Sequence, residues 1–164
     1  MKHFKYLTIL IYFTFVSNFF NCEAQVRSDT SLKVNRFVKK RLGTEGYYIS
    51  IPRDFKITKK KGVDFYVYWI SPKDTSRKDI GYSGIYFGNW PSVFEPKSIE
   101  CKADSMNSLF LGQSRVWGIT KCSNQFTIQT IAQIGDSYKI HAFANVKETR
   151  DLSLYLEIFK SLTK

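Results

Sequence analysis

Apolar and polar side chains alternate with a period of two over much of the chain, which is the pattern of β-strands with one buried face. The alternation is clearest in Phe126–Ile134, and the short polar turns on either side of this segment predict antiparallel neighbours joined as hairpins. In Val63–Ser71 both faces are apolar, so we expect a central strand covered on both sides. A turn is predicted at Lys59–Gly62. The predicted strands are Tyr47–Pro52, Val63–Ser71, Tyr82–Trp90, Arg115–Lys121, Phe126–Ile134 and Tyr138–Val146.

Three segments change to helical spacing, with apolar residues recurring every three or four positions. Lys97–Gly112 is the best-defined internal helix, with Ser98 as a suitable N-cap and Gly112 as a suitable stop. Ser31–Leu42 predicts a short basic helix that the glycines of Gly43–Gly46 break. The third is an amphipathic C-terminal helix, whose apolar stripe contains Leu152, Tyr155, Phe159 and Leu162.

Helices separated by runs of hairpin-connected strands are typical of α+β domains. We therefore predict a single α+β domain, in which a mostly antiparallel sheet is covered by helices and the chain closes with an amphipathic helix. The predicted organisation is a signal peptide (residues 1–24), a basic N-terminal segment (residues 25–42) and the α+β domain (residues 43–164).

The segments "GYYISIPRDF" (Gly46–Phe55) and "LEIFKSL" (Leu156–Leu162), together with an antiparallel sheet interrupted by a helix, resemble the PsbP-like group of small α/β/α sandwich proteins. The resemblance covers most of residues 43–164. That group includes extrinsic, assembly-assisting proteins that bind larger complexes. The resemblance therefore implies a partner-binding role and supplies no shared catalytic residues.

The first 24 residues have the three-part layout of a secretory signal peptide, with a charged start and a continuous apolar run from Tyr6 to Val16. This run is too short to span a bilayer, and no later stretch is apolar enough to do so. The small residues Cys22 and Ala24 favour cleavage before Gln25. We therefore expect a secreted or periplasmic protein without a transmembrane span.

Processing at Cys22 as a lipoprotein is the alternative. Lipoprotein processing requires small residues directly before the cysteine, whereas Phe20 and Asn21 are bulky. A free product beginning at Gln25 is therefore the preferred interpretation, and a lipid anchor on Cys22 is the minority one.

The chain is strongly basic, with 25 Lys and Arg residues against 14 Asp and Glu residues, and a formal net charge of +11. The charge is uneven: residues 25–80 hold fourteen basic and six acidic residues (+8), whereas residues 81–164 hold nine and seven (+2). Such a field favours anionic partners, and export makes an acidic protein or an anionic envelope surface a better expectation than nucleic acid. A solvated surface without a partner is the alternative. The basic run comprises Arg36, Lys39, Lys40, Arg41, Lys56, Lys59, Lys60 and Lys61.

Cys101 and Cys122 are the two cysteines that remain to pair after export, and an oxidising compartment favours a disulfide between them. A helix over residues 99–111 followed by a returning strand would bring the two together. In the chain-entropy model the crosslink would stabilise the fold by about 3 kcal/mol. Two alternatives use His141: a thiol or hydrolase pair with Cys101, and a metal site with both cysteines, which lacks a supporting spacing.

The rings of Tyr82, Tyr86 and Trp90 project from one face of a predicted strand, with Gly84 and Gly88 between them. Aromatic side chains at strand spacing are more often core residues, but an exposed stripe could stack on sugar rings or bases. Motifs for nucleotide binding, for serine hydrolases and for zinc proteases are missing from the sequence.

These observations predict an exported, non-catalytic accessory protein that holds an acidic macromolecular partner on a basic surface, without a cofactor or a metal and as a monomer. The predicted binding residues are Arg36, Lys39, Lys40, Arg41, Lys59, Lys60 and Lys61. Two alternatives remain open: a small exported hydrolase or thiol enzyme that uses Cys101 and His141, and a carbohydrate-binding module that uses Tyr82, Tyr86 and Trp90.

Overall fold

The computed structural model describes residues 36–76, 81–96 and 100–164 of the chain. The predicted signal peptide and the alternative processing at Cys22 lie outside the described residues. The elements within the described residues are β1 (Phe37–Leu42), β2 (Tyr47–Pro52), β3 (Phe55–Lys61), β4 (Tyr66–Pro72), β5 (Tyr82–Gly88), β6 (Lys102–Phe110), β7 (Gln113–Cys122), β8 (Gln125–Ile134), β9 (Tyr138–Val146) and the helix α1 (Thr149–Lys160).

Seven strands form one antiparallel sheet in the order β3-β4-β5-β9-β8-β7-β6, and β1 and β2 form a separate hairpin. The mostly antiparallel sheet and the C-terminal helix agree with the predicted α+β class. The expectation that helices cover the sheet is overstated, because the described residues contain one α-helix. The β1–β2 hairpin shares the covering role with that helix.

One face of the large sheet, which we call the helix face, carries side chains such as Tyr68, Ile85 and Ile140, and it holds the main core. The helix α1 and the β1–β2 hairpin cover it. Aromatic rings join these layers: Trp117 of β7 stacks on Phe159 of α1, with ring centroids 5.9 Å apart. Burial of these large side chains supplies most of the free energy that holds the helix on the sheet.

The C-terminus also fixes the hairpin at its second strand. The backbone of Thr163 exchanges two hydrogen bonds with Tyr48 of β2, at 2.8 and 2.9 Å. The hydroxyl of Ser161 accepts the N–H of Ser50 at 2.8 Å. The hairpin and the end of α1 therefore cover the helix face as one connected layer.

The opposite face, which we call the aromatic face, carries a smaller cluster of Val67, Tyr86 and Phe143. The prediction that Val63–Ser71 contains a strand covered on both sides is confirmed for β4 (Tyr66–Pro72), because Val67 belongs to this cluster and Tyr68 and Ile70 belong to the main core. The predicted strands of the β7–β8–β9 meander and their antiparallel pairing are also confirmed.

The predicted helix Ser31–Leu42 is wrong over its described part, which is strand β1. Each residue of β1 has a partner in β2, from the pair Phe37–Pro52 to the pair Leu42–Tyr47. Residues 43–46 form the turn between these strands, so the glycines end a strand rather than a helix. The predicted turn Lys59–Gly62 is also displaced, since Lys59 to Lys61 belong to β3.

The predicted helix Lys97–Gly112 is wrong as well, because Lys102–Phe110 is strand β6, and the proposed N-cap Ser98 lies outside the described residues. The register of β6 and β7 closes at the pair Phe110–Gln113, which leaves Leu111 and Gly112 as a two-residue turn. Both turn residues have positive φ, 55° and 74°, as a type I′ hairpin requires. Gly112 therefore marks a hairpin, and Leu111 tolerates its conformation while packing against the main core.

Cys101 and Cys122 form the predicted disulfide, with Cα atoms 4.3 Å apart. The structural reason differs from the predicted one. Lys102 of β6 pairs with Lys121 of β7, so the two cysteines face each other one position farther along the same hairpin. The disulfide thus closes the open end of a hairpin whose other end is the turn at Leu111 and Gly112.

We expect reduction of the Cys101–Cys122 disulfide to lower the free energy of unfolding by about 3 kcal/mol, because the disulfide restrains a loop of 21 residues in the unfolded chain. Urea unfolding with and without reductant measures this change. A Cys101→Ala/Cys122→Ala double variant is the matched control and should be indifferent to the reductant. Equal midpoints for the oxidised and reduced protein would contradict the expectation.

Candidate functional site

A cleft of about 680 Å³ is lined by residues of the β1–β2 hairpin and of the β3–β4 strand pair. We call it the basic cleft. Its apolar lining comes from β1, β2 and the β3–β4 pair, and its cationic side chains stand on the same elements and on the adjoining turns. The lining residues are Val38, Lys40, Arg41, Ile51, Arg53, Phe55, Lys56, Ile57, Lys59, Tyr68 and Lys73.

Strand alternation explains how charged residues reach this cleft. Lys40 stands on the same side of β1 as Val38 and Leu42, and those two side chains pack against or within the main core. On β3, Lys59 lies on the same side as Phe55 and Ile57 and pairs with Tyr68 of β4. On each of these two strands, alternation therefore places one lysine on the same side as two apolar residues, beside the apolar surface of the cleft.

Lys59 has a defined position within the cleft. Its Nζ lies 4.1 Å from the ring centroid of Tyr66 and 5.7 Å from that of Tyr68. Cation–π contacts of this kind hold an ammonium group without neutralising its charge. Lys59 therefore stays available to an anion that enters the cleft.

The predicted basic residues do not all reach the same place. Lys40, Arg41, Lys56 and Lys59 line the basic cleft. The Nζ of Lys39 instead lies 4.8 Å from the ring centroid of Tyr48. Arg36 is exposed directly before β1, and Lys60 and Lys61 are exposed on β3 without lining the cleft.

The prediction did not include Arg53 and Lys73, which also line the cleft. The backbone N–H of Lys73 donates to the carbonyl of Asp54 at 2.7 Å, and this bond brings the end of β4 next to the β2–β3 turn. The two cations are distant in sequence, so only the pairing of Phe55 with Pro72 could have indicated that they converge.

The ion pairs between described residues lie elsewhere in the fold. Arg150 contacts Glu148 at 2.7 Å and Asp151 at 4.0 Å, at the start of α1. No carboxylate from the described residues is among those that line the basic cleft. Its six cationic side chains therefore produce a positive potential that no neighbouring acid in the lining offsets.

A second cavity, of about 460 Å³, opens on the aromatic face, and we call it the aromatic cavity. The three rings of the predicted aromatic stripe all line it: Tyr82 is 44% exposed, Trp90 is 80% exposed and Tyr86 is 9% exposed. A Cβ atom at Gly84 would lie 2.9 Å from the carbonyl oxygen of Tyr68 and 3.2 Å from Cζ of Phe143. The glycine in the stripe thus lets the Phe143 ring lie against β5.

The side chain of Gln129 holds the segment after β5 over this face. Its Nε2 donates to the carbonyl of Phe94 at 2.6 Å, and its Oε1 accepts the N–H of Phe94 at 3.0 Å. The Gln129 amide thus forms the same two hydrogen bonds with Phe94 that a residue of an antiparallel neighbouring strand would form. The Phe94 ring consequently lies 5.3 Å from that of Phe143, measured between centroids.

His141 is 2% exposed beneath this segment. Its ring is 5.9 Å from that of Phe94, and its Nε2 lies 3.2 Å from Oε1 of Gln129. Because that oxygen only accepts hydrogen bonds, Nε2 carries the proton. Burial lowers the pKa of His141 to about 4, so the imidazole is neutral at pH 7.

The two residues of the alternative thiol site have different surroundings. Cys101 is bonded to Cys122 and has no free thiol in this state. His141 is enclosed by the rings of the aromatic face. Within the described ranges, no group of three or more His, Cys, Asp or Glu side chains is arranged to hold a metal ion.

The described residues contain no helix that is both long and apolar enough to cross a membrane. No protein-family model matches the chain, and a search of curated proteins found no match.

We expect the free energy of unfolding to fall as the pH is lowered from about 6.5 to about 4, because the unfolded chain protonates His141 in this range and the folded chain does not. The slope from this one group is about 1.4 kcal/mol per pH unit, and it disappears below the folded pKa. Urea unfolding of the wild type and of His141→Gln across this range measures the pH dependence that His141 contributes. The carboxylates contribute equally to both proteins, so the difference between the two profiles belongs to His141. Parallel pH profiles for the two proteins would contradict it.

We expect Gln129→Leu to release the segment around Phe94 and to lower the free energy of unfolding by about 1–3 kcal/mol, because the part-buried N–H and carbonyl groups of Phe94 lose their hydrogen-bond partners. Amide hydrogen exchange at Phe94 measures the release. Gln133→Leu is the matched control, since Gln133 stands on the same face of β8 but is exposed, and its side chain donates to the carbonyl groups of Gly135 and Asp136 in the following turn. Equal protection of Phe94 in both variants would argue against the role of Gln129.

Proposed function

We propose that the protein binds an acidic macromolecular partner in the basic cleft, as an accessory protein that works by binding rather than by catalysis. The observation that carries the proposal is the convergence of six cationic side chains on one cleft whose described lining includes no carboxylate. The positive field favours association with an anionic surface and steers it toward this side of the domain.

The lining also indicates the chemistry of the partner. Val38, Phe55 and Ile57 provide an apolar surface inside the cleft, while lysine and arginine side chains supply its charge. A partner that matches both parts carries acidic side chains next to at least one apolar side chain. An acidic protein segment meets this description, because its carboxylates reach the cations while an apolar residue enters the cleft.

Lysines on β3 have a second physical role, which does not account for the cleft. The strand β3 is at the edge of the large sheet, and lysines on edge strands discourage pairing with other chains. That role applies to Lys60 and Lys61 as well as to Lys59. It does not explain why Lys40 of the hairpin, Arg53 of a turn and Lys73 at the end of β4 line the same space.

The proposed location is outside the cytoplasm, in a secreted or periplasmic setting. The disulfide between Cys101 and Cys122 supports this proposal, because structural disulfides persist mainly in oxidising compartments. An accessory role there agrees with what the PsbP-like resemblance implies, and the resemblance itself stays a prediction.

We expect Lys59→Glu to weaken binding of a fluorescently labelled peptide that alternates glutamate with leucine by at least about tenfold, or about 1.4 kcal/mol. Lys60→Glu is the matched control. It makes the same charge change at the next residue, but Lys60 pairs with Val67 of the aromatic face and does not line the cleft. Fluorescence anisotropy measures both affinities, and equal losses would show that net charge alone governs binding.

We expect the wild-type affinity to fall as salt is raised from about 0.05 to 0.5 M, since exposed charge pairs are screened. A peptide with glutamine in place of glutamate should lose binding, and one with serine in place of leucine should bind more weakly. Salt-independent binding would contradict the basic cleft as the site. Binding of anionic vesicles without binding of the acidic peptide would replace the protein partner by a membrane surface.

A further inference from the structure

The aromatic cavity differs from the rest of this basic protein in its charge. The ionisable side chains in its lining, apart from the tyrosines, are Asp64 and His141, and burial keeps His141 neutral at pH 7. No lysine or arginine of the described residues lines it. At neutral pH the carboxylate of Asp64, exposed at the cavity, is therefore the charged group of the lining, in a chain whose formal net charge is +11.

The rings that line the cavity lie at different angles to one another. Phe65 and Tyr86 are stacked with centroids 5.5 Å apart, whereas Trp69 meets Phe143 edge-on at 5.6 Å. Trp90 belongs to the segment after β5 and is 80% exposed, so its ring is accessible from solvent. The negative faces of aromatic rings attract cations that lie within about 6 Å of the ring centroid.

Three polar side chains of the lining, Tyr82, Tyr86 and His141, take part in hydrogen bonds within the protein. The hydroxyl of Tyr86 accepts the N–H of Trp90 at 3.1 Å, and the hydroxyl of Tyr82 accepts an N–H of Asn145 at 3.3 Å. His141 contacts Gln129. A sugar carries many hydroxyls, and each one that is buried without a partner costs about 1–3 kcal/mol. The cavity therefore suits a ligand whose buried part needs few hydrogen bonds.

A methylated ammonium group meets these conditions. It has no N–H to satisfy, its methyl groups contact apolar surface, and its charge interacts with ring faces and with a carboxylate. We propose that the aromatic cavity is a binding site for a quaternary ammonium group, with Trp90 and Asp64 as its accessible aromatic and anionic contacts. This site is independent of the basic cleft, because it lies on the opposite face of the sheet. The group could belong to a free small molecule or to the headgroup of a choline lipid, which present the same chemistry.

The test compares choline with 3,3-dimethylbutanol, its uncharged carbon isostere, in the presence of the intact protein. Each ligand has one strong methyl signal, and its broadening in proton NMR spectra is titrated at constant ionic strength. We expect saturable binding of choline and at least about tenfold weaker binding of the isostere, because only choline gains from the ring faces and from Asp64. Equal binding of the two ligands, or no saturable binding of choline, would overturn the proposal.

Variants locate the site. Trp90→Ala and Asp64→Asn should each weaken choline binding at least about fivefold, and both residues are exposed, so the substitutions leave the core intact. Asp136→Asn is the matched control, because it removes an exposed carboxylate from the β8–β9 turn, away from the cavity lining. An equal loss in the control variant would show that choline responds to overall charge and would overturn the assignment.

The source of the group is tested with vesicles. Sedimentation with phosphatidylcholine vesicles that is competed by free choline and lost in Trp90→Ala assigns the lipid headgroup, while binding of free choline without sedimentation assigns a small molecule. Saturable binding of a neutral disaccharide with no binding of choline would instead assign the cavity to carbohydrate and overturn the proposal.

Discussion

The fold depends on one constraint: the central strands of the large sheet carry apolar side chains on both faces, so both faces must be covered. In β4, Val67 points to the aromatic face while Tyr68 and Ile70 point to the main core. Burying only one face would leave a large apolar surface in water at about 25 cal/mol for each Å². The chain meets the constraint with two different covers, and both candidate sites lie at their margins.

On the helix face the cover is large and well fixed. The helix α1 packs aromatic rings against the sheet, and the backbone bridge between Tyr48 and Thr163 joins the hairpin to the C-terminus. The hairpin is joined to the C-terminus at β2. Residues of its other strand, β1, and of the edge strand β3 line the basic cleft together, and the lining contains apolar side chains as well as lysines and arginines.

On the aromatic face the cover is a loop, which is held by hydrogen bonds and by the packing of the Phe94 ring. The amide of Gln129 pairs with the backbone of Phe94, and the same oxygen contacts His141. Such a short segment covers the rings incompletely and leaves a cavity between them. The same burial keeps His141 neutral, so the linings of the two cavities carry opposite charge: lysine and arginine side chains line the cleft, and the carboxylate of Asp64 lines the aromatic cavity.

The sequence by itself determined the central strands, the β7–β8–β9 hairpins, the C-terminal helix and the pairing of Cys101 with Cys122. These elements are buried on at least one face, so core formation imposes the periodicity that the sequence displays. The sequence did not identify β1 and β6 as strands, and both segments were predicted to be helices. Half of the residues of β1 and most of those of β6 are exposed, so burial imposes little alternation on their side chains. Their strand conformation comes from backbone hydrogen bonds to β2 and β7. Side-chain periodicity does not indicate such bonds.

Contacts between distant parts of the chain also explain which features of the two sites could be predicted from the sequence and which could not. The sequence identified the basic run and the aromatic stripe by composition. Only the tertiary structure decided that Lys59 lines the cleft while Lys60 does not, that Arg53 and Lys73 join it, and that His141 is buried. Each of these outcomes depends on strand register and on which segment covers a face. Such contacts join residues that are far apart in the chain, whereas local sequence patterns reflect only the residues nearby.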